Sequence, residues 1–337
     1  MKALEIRGRF GLDALGLAER ADPVPGPGQV VVRVRAASVN YRDLLTVQGL
    51  YNPRQPLPLV PLSDGAGEVV RAGEGVSRVG VGDRVAGSFF QKWLAGPPTK
   101  TKLLSALGGP LDGMLADHVV LHEDGVVRVP AHLTDEEAAT LPCAAVTAWS
   151  ALVELGGLKA GDTLVTLGTG GVSIFALQIG RLLGARVIVT SSSDRKLERA
   201  RALGASDTIN YQATPEWEKR VKDLTGGTGA DHVLEVGGSG TLARSLRAVR
   251  IGGTVSLIGS LTGLNAEVNL AHILMNNVRV QGVIVGSRET FEALNRAVSL
   301  HQLRPVVDRV FPFLEARAAL EHLAGRQHFG KIVVRMD

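Results

Sequence analysis

Apolar and polar positions fall into two rhythms along this chain. Over roughly the first 130 residues, short β-branched runs alternate with glycine and proline. They occupy residues 30–35 (after the turn Gly26-Pro27-Gly28), 67–73, 82–87 and 117–121. Runs of this length between turn residues predict strands, and a series of them predicts a barrel-like β domain. Residues 89–110 interrupt the series, carrying Phe89, Phe90, Trp93, Pro97 and Pro98 with no period. Such an excursion is expected either beside a ligand site or as a peripheral lobe.

The rhythm changes near residue 135. Thr134 is placed to cap a helix opening on Asp135-Glu136-Glu137, because side-chain oxygens and acidic residues satisfy the first-turn N–H groups. From Asp162 onward, strand-like runs at 163–167, 186–190, 231–236, 253–258 and 278–285 alternate with helix-like stretches at 174–183, 194–203 and 241–249. Continuous apolar strands separated by helices predict an α/β region built on a doubly wound parallel sheet with both faces covered. A helix at 289–300 and short strands ending at 330–334 make a tail too short for a domain of its own. It is expected to pack on the first domain.

Composition narrows the function. A single cysteine, Cys143, excludes an intramolecular disulfide, an all-cysteine zinc site and an iron–sulfur cluster held by one chain. The net charge of +4 comes from 37 basic and 33 acidic residues scattered along the chain. A nucleic-acid binder concentrates its cations on one stripe, so no nucleic-acid partner is expected. The start of the chain becomes charged at once, and residues 164–183 carry four glycines with Gln178 and Arg181. Neither suits a signal peptide or a membrane span, so a cytoplasmic chain without a membrane partner is expected.

The chemistry-bearing motif is Gly168-Thr169-Gly170-Gly171-Val172-Ser173, directly after a strand and opening a helix. Glycines there permit a tight turn and a close backbone approach to a pyrophosphate on the helix N-terminus. The third position, usually glycine or alanine, is Ser173. The following strand ends in Ser191-Ser192-Ser193-Asp194-Arg195-Lys196. No carboxylate stands at its tip to bond a ribose 2′-hydroxyl, whereas hydroxyls followed by two cations suit a 2′-phosphate. NADP(H) is therefore expected, with NAD(H) possible. A plain helix cap at Ser192 or Ser193 with solvated cations accounts for the same residues.

The blocks Ala37-Ser38-Val39-Asn40-Tyr41-Arg42-Asp43, residues 65–70, Gly82-Asp83-Arg84-Val85, residues 141–149, the glycine turn and Phe329-Gly330-Lys331 resemble the medium-chain dehydrogenase/reductase superfamily. The likeness is to its zinc-free, quinone-oxidoreductase-like and alcohol-dehydrogenase-like branch. It implies a GroES-like β domain from residues 1–134 and 287–337, and a Rossmann dinucleotide-binding domain from 135–286. By position it places cofactor contacts on Thr147, Gly168, Gly170, Gly171, Val172, Ser191, Ser192, Lys196, Gly237, Ile258, Ser260, Val285, Ser287 and Lys331. It also implies a homodimer pairing through the last Rossmann strand. Zinc relatives carry a cysteine at Asn40 and a histidine–glutamate pair at Ser63-Asp64, and only Cys143 matches a ligand. One thiol without histidine makes no three-ligand catalytic site, so no metal is expected.

Without a Lewis acid, reduction of electron-poor acceptors such as quinones and α,β-unsaturated carbonyls is the expected reaction. The candidate polar groups are Asn40, Tyr41 and Ser63, with Tyr51 nearby. Tyr41 is the leading donor or, alternatively, a cofactor contact. Asp43 is expected as a structural acceptor, and His118 and His122 as structural residues. Two rival readings are an alcohol dehydrogenase acting on alcohols and aldehydes, and a dinucleotide-binding redox sensor without turnover.

Overall fold

Strand β3 (Gln29–Val39) holds the first part of the chain together. Its valine run is buried nearly throughout because three strands hydrogen-bond to it. In the computed structural model, which describes residues 1–336, β1 (Lys2–Ile6) and β2 (Leu15–Glu19) form an antiparallel pair. Strands β4 (Asp64–Ala72), β5 (Arg84–Gly87), β6 (His118–His122) and β7 (Val126–Arg128) then follow. β3 pairs antiparallel with both β4 and β6, and the ladder continues through β5 to β7.

The second part of the chain carries β8 (Thr163–Leu167), β9 (Arg186–Ser191), β10 (Asp207–Asn210), β11 (Ala230–Glu235), β12 (Val249–Leu257) and β13 (Arg279–Gly282). They lie in the order β10-β9-β8-β11-β12-β13 with every pairing parallel. All five residues of β8 are buried, as a strand covered on both faces requires. The order reverses between β8 and β11, the switch point at which doubly wound sheets bind ligands beyond their carboxyl ends. The last strands, β14 (Val307–Pro312) and β15 (Lys331–Arg335), return to the first sheet, where β15 pairs antiparallel with β3. The GroES-like and Rossmann architectures expected from the sequence are both present.

The chain divides into two compact units, residues 1–146 with 285–337, and residues 147–284. The first boundary thus falls at Val146 rather than at residue 134. Arg84 on β5 explains part of this, because its Nε and Nη2 donate to Asp135 Oδ1 at 3.0 and 2.7 Å and tie the helix opening to the first unit. Thr134 caps that helix by accepting from Glu137 N. The last strand of the series is also shorter than the expected 278–285: it ends at Gly282, Val283 N makes a last bond to Leu257 O at 3.0 Å, and Val285 adopts φ 49°. The 89–110 excursion belongs to the first unit, with Phe89, Phe90 and Trp93 buried and the first two rings 4.7 Å apart edge to face. Strands β1, β2, β7 and β10 and the helices Tyr41–Val47, Trp217–Leu224 and Ala316–Ala324 lie outside the elements expected from the sequence.

Candidate functional site

In the second unit, β8 runs into the glycine turn and the helix Gly171–Leu182, which starts three residues before the expected 174. Gly168 has φ +74°, and an added Cβ would meet nothing within 4 Å. Its backbone, not lack of room, demands glycine there. Gly170 caps the helix with backbone alone, so no side chain competes for the first-turn N–H groups of Gly171, Val172 and Ser173. That arrangement suits a phosphate. Ser173 is buried, and its Oγ donates to Leu167 O at 2.7 Å. The hydroxyl pins helix to strand at the position where a smaller residue is usual.

At the tip of β9, Ser191 Oγ accepts from Ser193 N at 3.3 Å. Ser193 Oγ in turn caps the helix Asp194–Ala202 by accepting from Lys196 N. Ser193 is therefore the capping residue, Ser192 remains half-buried, and no carboxylate ends the strand.

Beyond β11, the buried Glu235 accepts from Gly237 N at 2.7 Å, Gly238 N at 2.9 Å and Thr241 Oγ1 at 2.6 Å, and also from Ser245 Oγ. Gly237 O accepts from Thr262 N and Oγ1, both at 2.8 Å. Gly237 can offer a ligand only close backbone approach, because both its polar groups are engaged. Sequence reasoning missed Glu235. Its signal was an acid at a strand end, two residues before the pair Gly237-Gly238. Ile258 and Ser260 follow β12 and are half-buried, and Thr147 is buried. In the first unit, Ser287 caps the helix Arg288–Leu300 through Thr290, and Val285 lies just before it.

A second set of polar residues converges in the first unit. Asn40 follows β3 in an extended conformation and caps the helix Tyr41–Val47. The buried Asp43 accepts from Asn40 N at 2.8 Å and Ser63 N at 3.2 Å, the structural role expected of it. Asn40 Nδ2 donates to Ser63 Oγ at 3.3 Å, Ser63 Oγ donates to Asp64 Oδ1 at 2.9 Å, and Cys143 N donates to Asp64 Oδ2 at 3.1 Å. The ring closes on Lys331, whose Nζ donates to Val39 O at 2.9 Å and to Asn40 Oδ1 and stands 3.9 Å from Asp64 Oδ2. Lys331 is thus no surface residue. It is 3% exposed, and its ammonium is committed within this ring rather than held out as the expected phosphate contact.

Burial dominates the electrostatics of the ring. It lifts the Asp64 carboxyl from its ordinary 3.8 to about 6 against the opposing pull of Lys331, with Asp43 adding to the rise. Burial likewise raises Asp43. The Cys143 thiol is pushed well above its usual range by burial, and Asp64 adds to it. Cys143 sits in a wide π turn, Leu141–Ala145, that contains Pro142, a residue with no N–H for a regular ladder. Of this set only the Asp64 carboxylate is a donor type that zinc takes, and it is engaged by Ser63 Oγ and Cys143 N. A protonated thiol, an amide oxygen already held by an ammonium and a serine do not complete a site of thiolate, imidazole and carboxylate donors. Among the described residues, no group of three or more His, Cys, Asp or Glu is arranged to hold a metal.

Of the expected polar groups, Asn40 and Ser63 are buried and spent inside the ring. Tyr41 is half-buried, and its hydroxyl has no hydrogen-bond partner among the described residues. Tyr51 is exposed, with the Arg42 guanidinium 5.1 Å from its ring centre. Arg42 also donates to Leu107 O at 2.7 Å and to Gly109 O, fastening the end of the 89–110 excursion beside Tyr41. No helix among the described residues is long and apolar enough to cross a membrane.

Two family models match the chain, an alcohol dehydrogenase GroES-like domain over residues 26–131 and a zinc-binding dehydrogenase over residues 171–299. A zinc-type alcohol dehydrogenase-like protein of Schizosaccharomyces pombe is 44% identical over 317 residues, covering 92% of each chain. Among solved structures, one titled an NAD-dependent alcohol dehydrogenase superposes with a TM-score of 0.92 at 35% identity, covering 100% of both chains. Another, a 2-octenoyl-CoA carboxylase reductase in complex with NADP and 2-octenoyl-CoA, has a TM-score of 0.89 at 26% identity. It covers 99% of this chain and 87% of that one. The chain belongs to the medium-chain dehydrogenase/reductase superfamily of oxidoreductases.

Proposed function

We propose that the protein is an NADP(H)-dependent, metal-free oxidoreductase that reduces α,β-unsaturated carbonyls or quinones. The observation that carries this reading is the closed ring of Asn40, Ser63, Asp64 and Lys331, the first three of which stand where the resemblance puts ligands of the zinc relatives. A ring of satisfied, mutually neutralising groups leaves no ligand set for zinc. A bound nicotinamide dinucleotide supplies the hydride. The uncapped helix at Gly171 and the hydroxyls of Ser191 and Ser192 would hold its phosphates, and a solved relative binds NADP with an enoyl-CoA.

Hydride addition to a conjugated carbonyl builds negative charge on the acceptor oxygen, and a hydrogen-bond donor must meet it. With Asn40 and Ser63 engaged, the donor assigned here is the Tyr41 hydroxyl. Tyr41→Phe keeps the ring and removes that hydroxyl. Turnover should fall by roughly 10²–10³ with NADPH affinity retained. If NADPH binding collapses instead, Tyr41 is a cofactor residue.

The alcohol-dehydrogenase reading draws on the names of two relatives. A panel of quinones, enones and primary and secondary alcohols, followed by nicotinamide absorbance, separates the readings. NADPH oxidation with enones or quinones supports ours, turnover confined to alcohols overturns it, and binding without any turnover leaves a sensor. We further infer a homodimer through the free edge of β13, beside the exposed Leu274, Met275 and Ile284.

A further inference from the structure

A cavity of about 400 Å³ opens at the amino ends of β11 and β12, the opposite end of the parallel sheet from the glycine turn. Its chemistry comes from Lys222, Thr228, Arg247, Arg250, His272 and Asn276, and none of its lining residues is acidic. β11 has six residues, so five steps of about 3.3 Å put the two ends of the strand about 17 Å apart.

The donors in this cavity are held but not exhausted. Lys222 Nζ donates only to the carbonyls of Thr228 (3.1 Å) and Val249 (3.4 Å), leaving its third N–H. No carboxylate pairs with it among the described residues, and burial pulls its ammonium below the ordinary lysine range. Arg247 spends Nε and Nη2 on Glu218 Oε1 at 3.2 and 2.8 Å, leaving Nη1. Arg250 spends Nε on Asp231 at 2.5 Å and Nη1 on Ile251 O at 2.7 Å, leaving Nη2. Asp231 is itself fixed by Thr163 N at 2.7 Å. Each carboxylate grips one edge of an arginine and so aims the other edge. The side chains of His272 and Asn276 have no partner among the described residues.

We propose that this cavity is a second ligand site, separate from the dinucleotide turn, that takes the phosphate groups of a phosphorylated small molecule. Guanidinium edges and an ammonium match phosphate oxygens in charge and in geometry. The volume lies within the range of small-ligand sites, about 300–1,000 Å³. The partly buried ammonium of Lys222 lacks the counter-charge that a phosphate brings.

The test titrates inorganic pyrophosphate, and then ADP, into protein saturated with NADPH, by calorimetry at constant ionic strength. One molecule should bind per chain with the dinucleotide site already filled. Lys222→Met should weaken that binding by about tenfold, the order expected for one lost charge-assisted contact. His272→Ala/Asn276→Ala, which breaks no internal bond, should weaken it too, and both variants should keep wild-type NADPH affinity. Stronger binding of ADP than of pyrophosphate would identify a nucleotide as the occupant, and equal binding a simpler phosphate ester. The proposal is overturned by the absence of binding beyond the sodium chloride control, by loss of binding on NADPH saturation, or by binding that neither variant moves.

Discussion

The glycine turn of the second unit and the polar ring of the first are built in opposite ways. The turn is local. Six consecutive residues, Gly168 to Ser173, supply the tight bend, the uncapped helix start and the hydroxyl that pins helix to strand. The ring draws Asn40 from just past β3, Lys331 from β15, two residues from around the start of β4 and a backbone N–H from the 141–145 turn. The turn relies on backbone groups that wait for an anion, whereas the ring consumes nearly every polar atom it contains. Readiness to bind therefore belongs to the turn, and resistance to binding belongs to the ring.

The largest expected effect sharpens the first half of that comparison. Glu235→Ala leaves the N–H groups of Gly237 and Gly238 and two hydroxyls without their acceptor, beside the switch point. Unpaired buried donors each cost about 1–3 kcal/mol, so a loss on the order of 3 kcal/mol in urea unfolding is expected. NADPH affinity should fall with it. Unchanged stability would show that the loop past β11 does not depend on its carboxylate.

The ring carries its own pH signature. Asp64 titrates near 6 in the folded protein against 3.8 ordinarily, so the native state holds this proton more tightly than the unfolded chain does. Stability from this group is fully present below about pH 4, falls as pH rises from 4 to 6, and is lost above that. Asp64→Asn should remove a slope on the order of 2–3 kcal/mol across that window, measured as the difference between wild-type and variant unfolding at each pH. Parallel pH profiles for the two proteins would contradict it.

A smaller effect probes what the turn accepts. Ser191→Asp places a carboxylate at the β9 tip, where it opposes a 2′-phosphate and accepts from a free ribose. NADPH affinity should drop by about 1.5–3 kcal/mol while NADH affinity rises. Wild-type protein that already prefers NADH would remove the basis for assigning NADP(H).

The same contrast explains what could be read from the sequence. Periodicity and glycine placement located β8, β9, β11 and the turn, because each depends on neighbours in the chain. Lys331 could not be placed. Its commitment to Asn40, 291 residues away, arises only when β15 pairs with β3. Ser63 looked like a candidate donor because burial is not visible in a motif. Residues 135–146 group with the first unit, and part of the reason, Arg84 holding Asp135, is another pairing between segments distant in sequence. The short strand β13 ends at Gly282 although apolar residues continue, and the apolar run alone does not show where pairing with β12 stops.

Metal dependence tests the central claim most directly. The purified protein is assayed for zinc per subunit, then dialysed against a chelator and assayed for NADPH-dependent enone and quinone reduction. The ring of Asn40, Ser63, Asp64 and Lys331 predicts far less than one zinc per chain and an unchanged rate after chelation. Stoichiometric zinc whose removal abolishes turnover, and whose return restores it, would contradict the account.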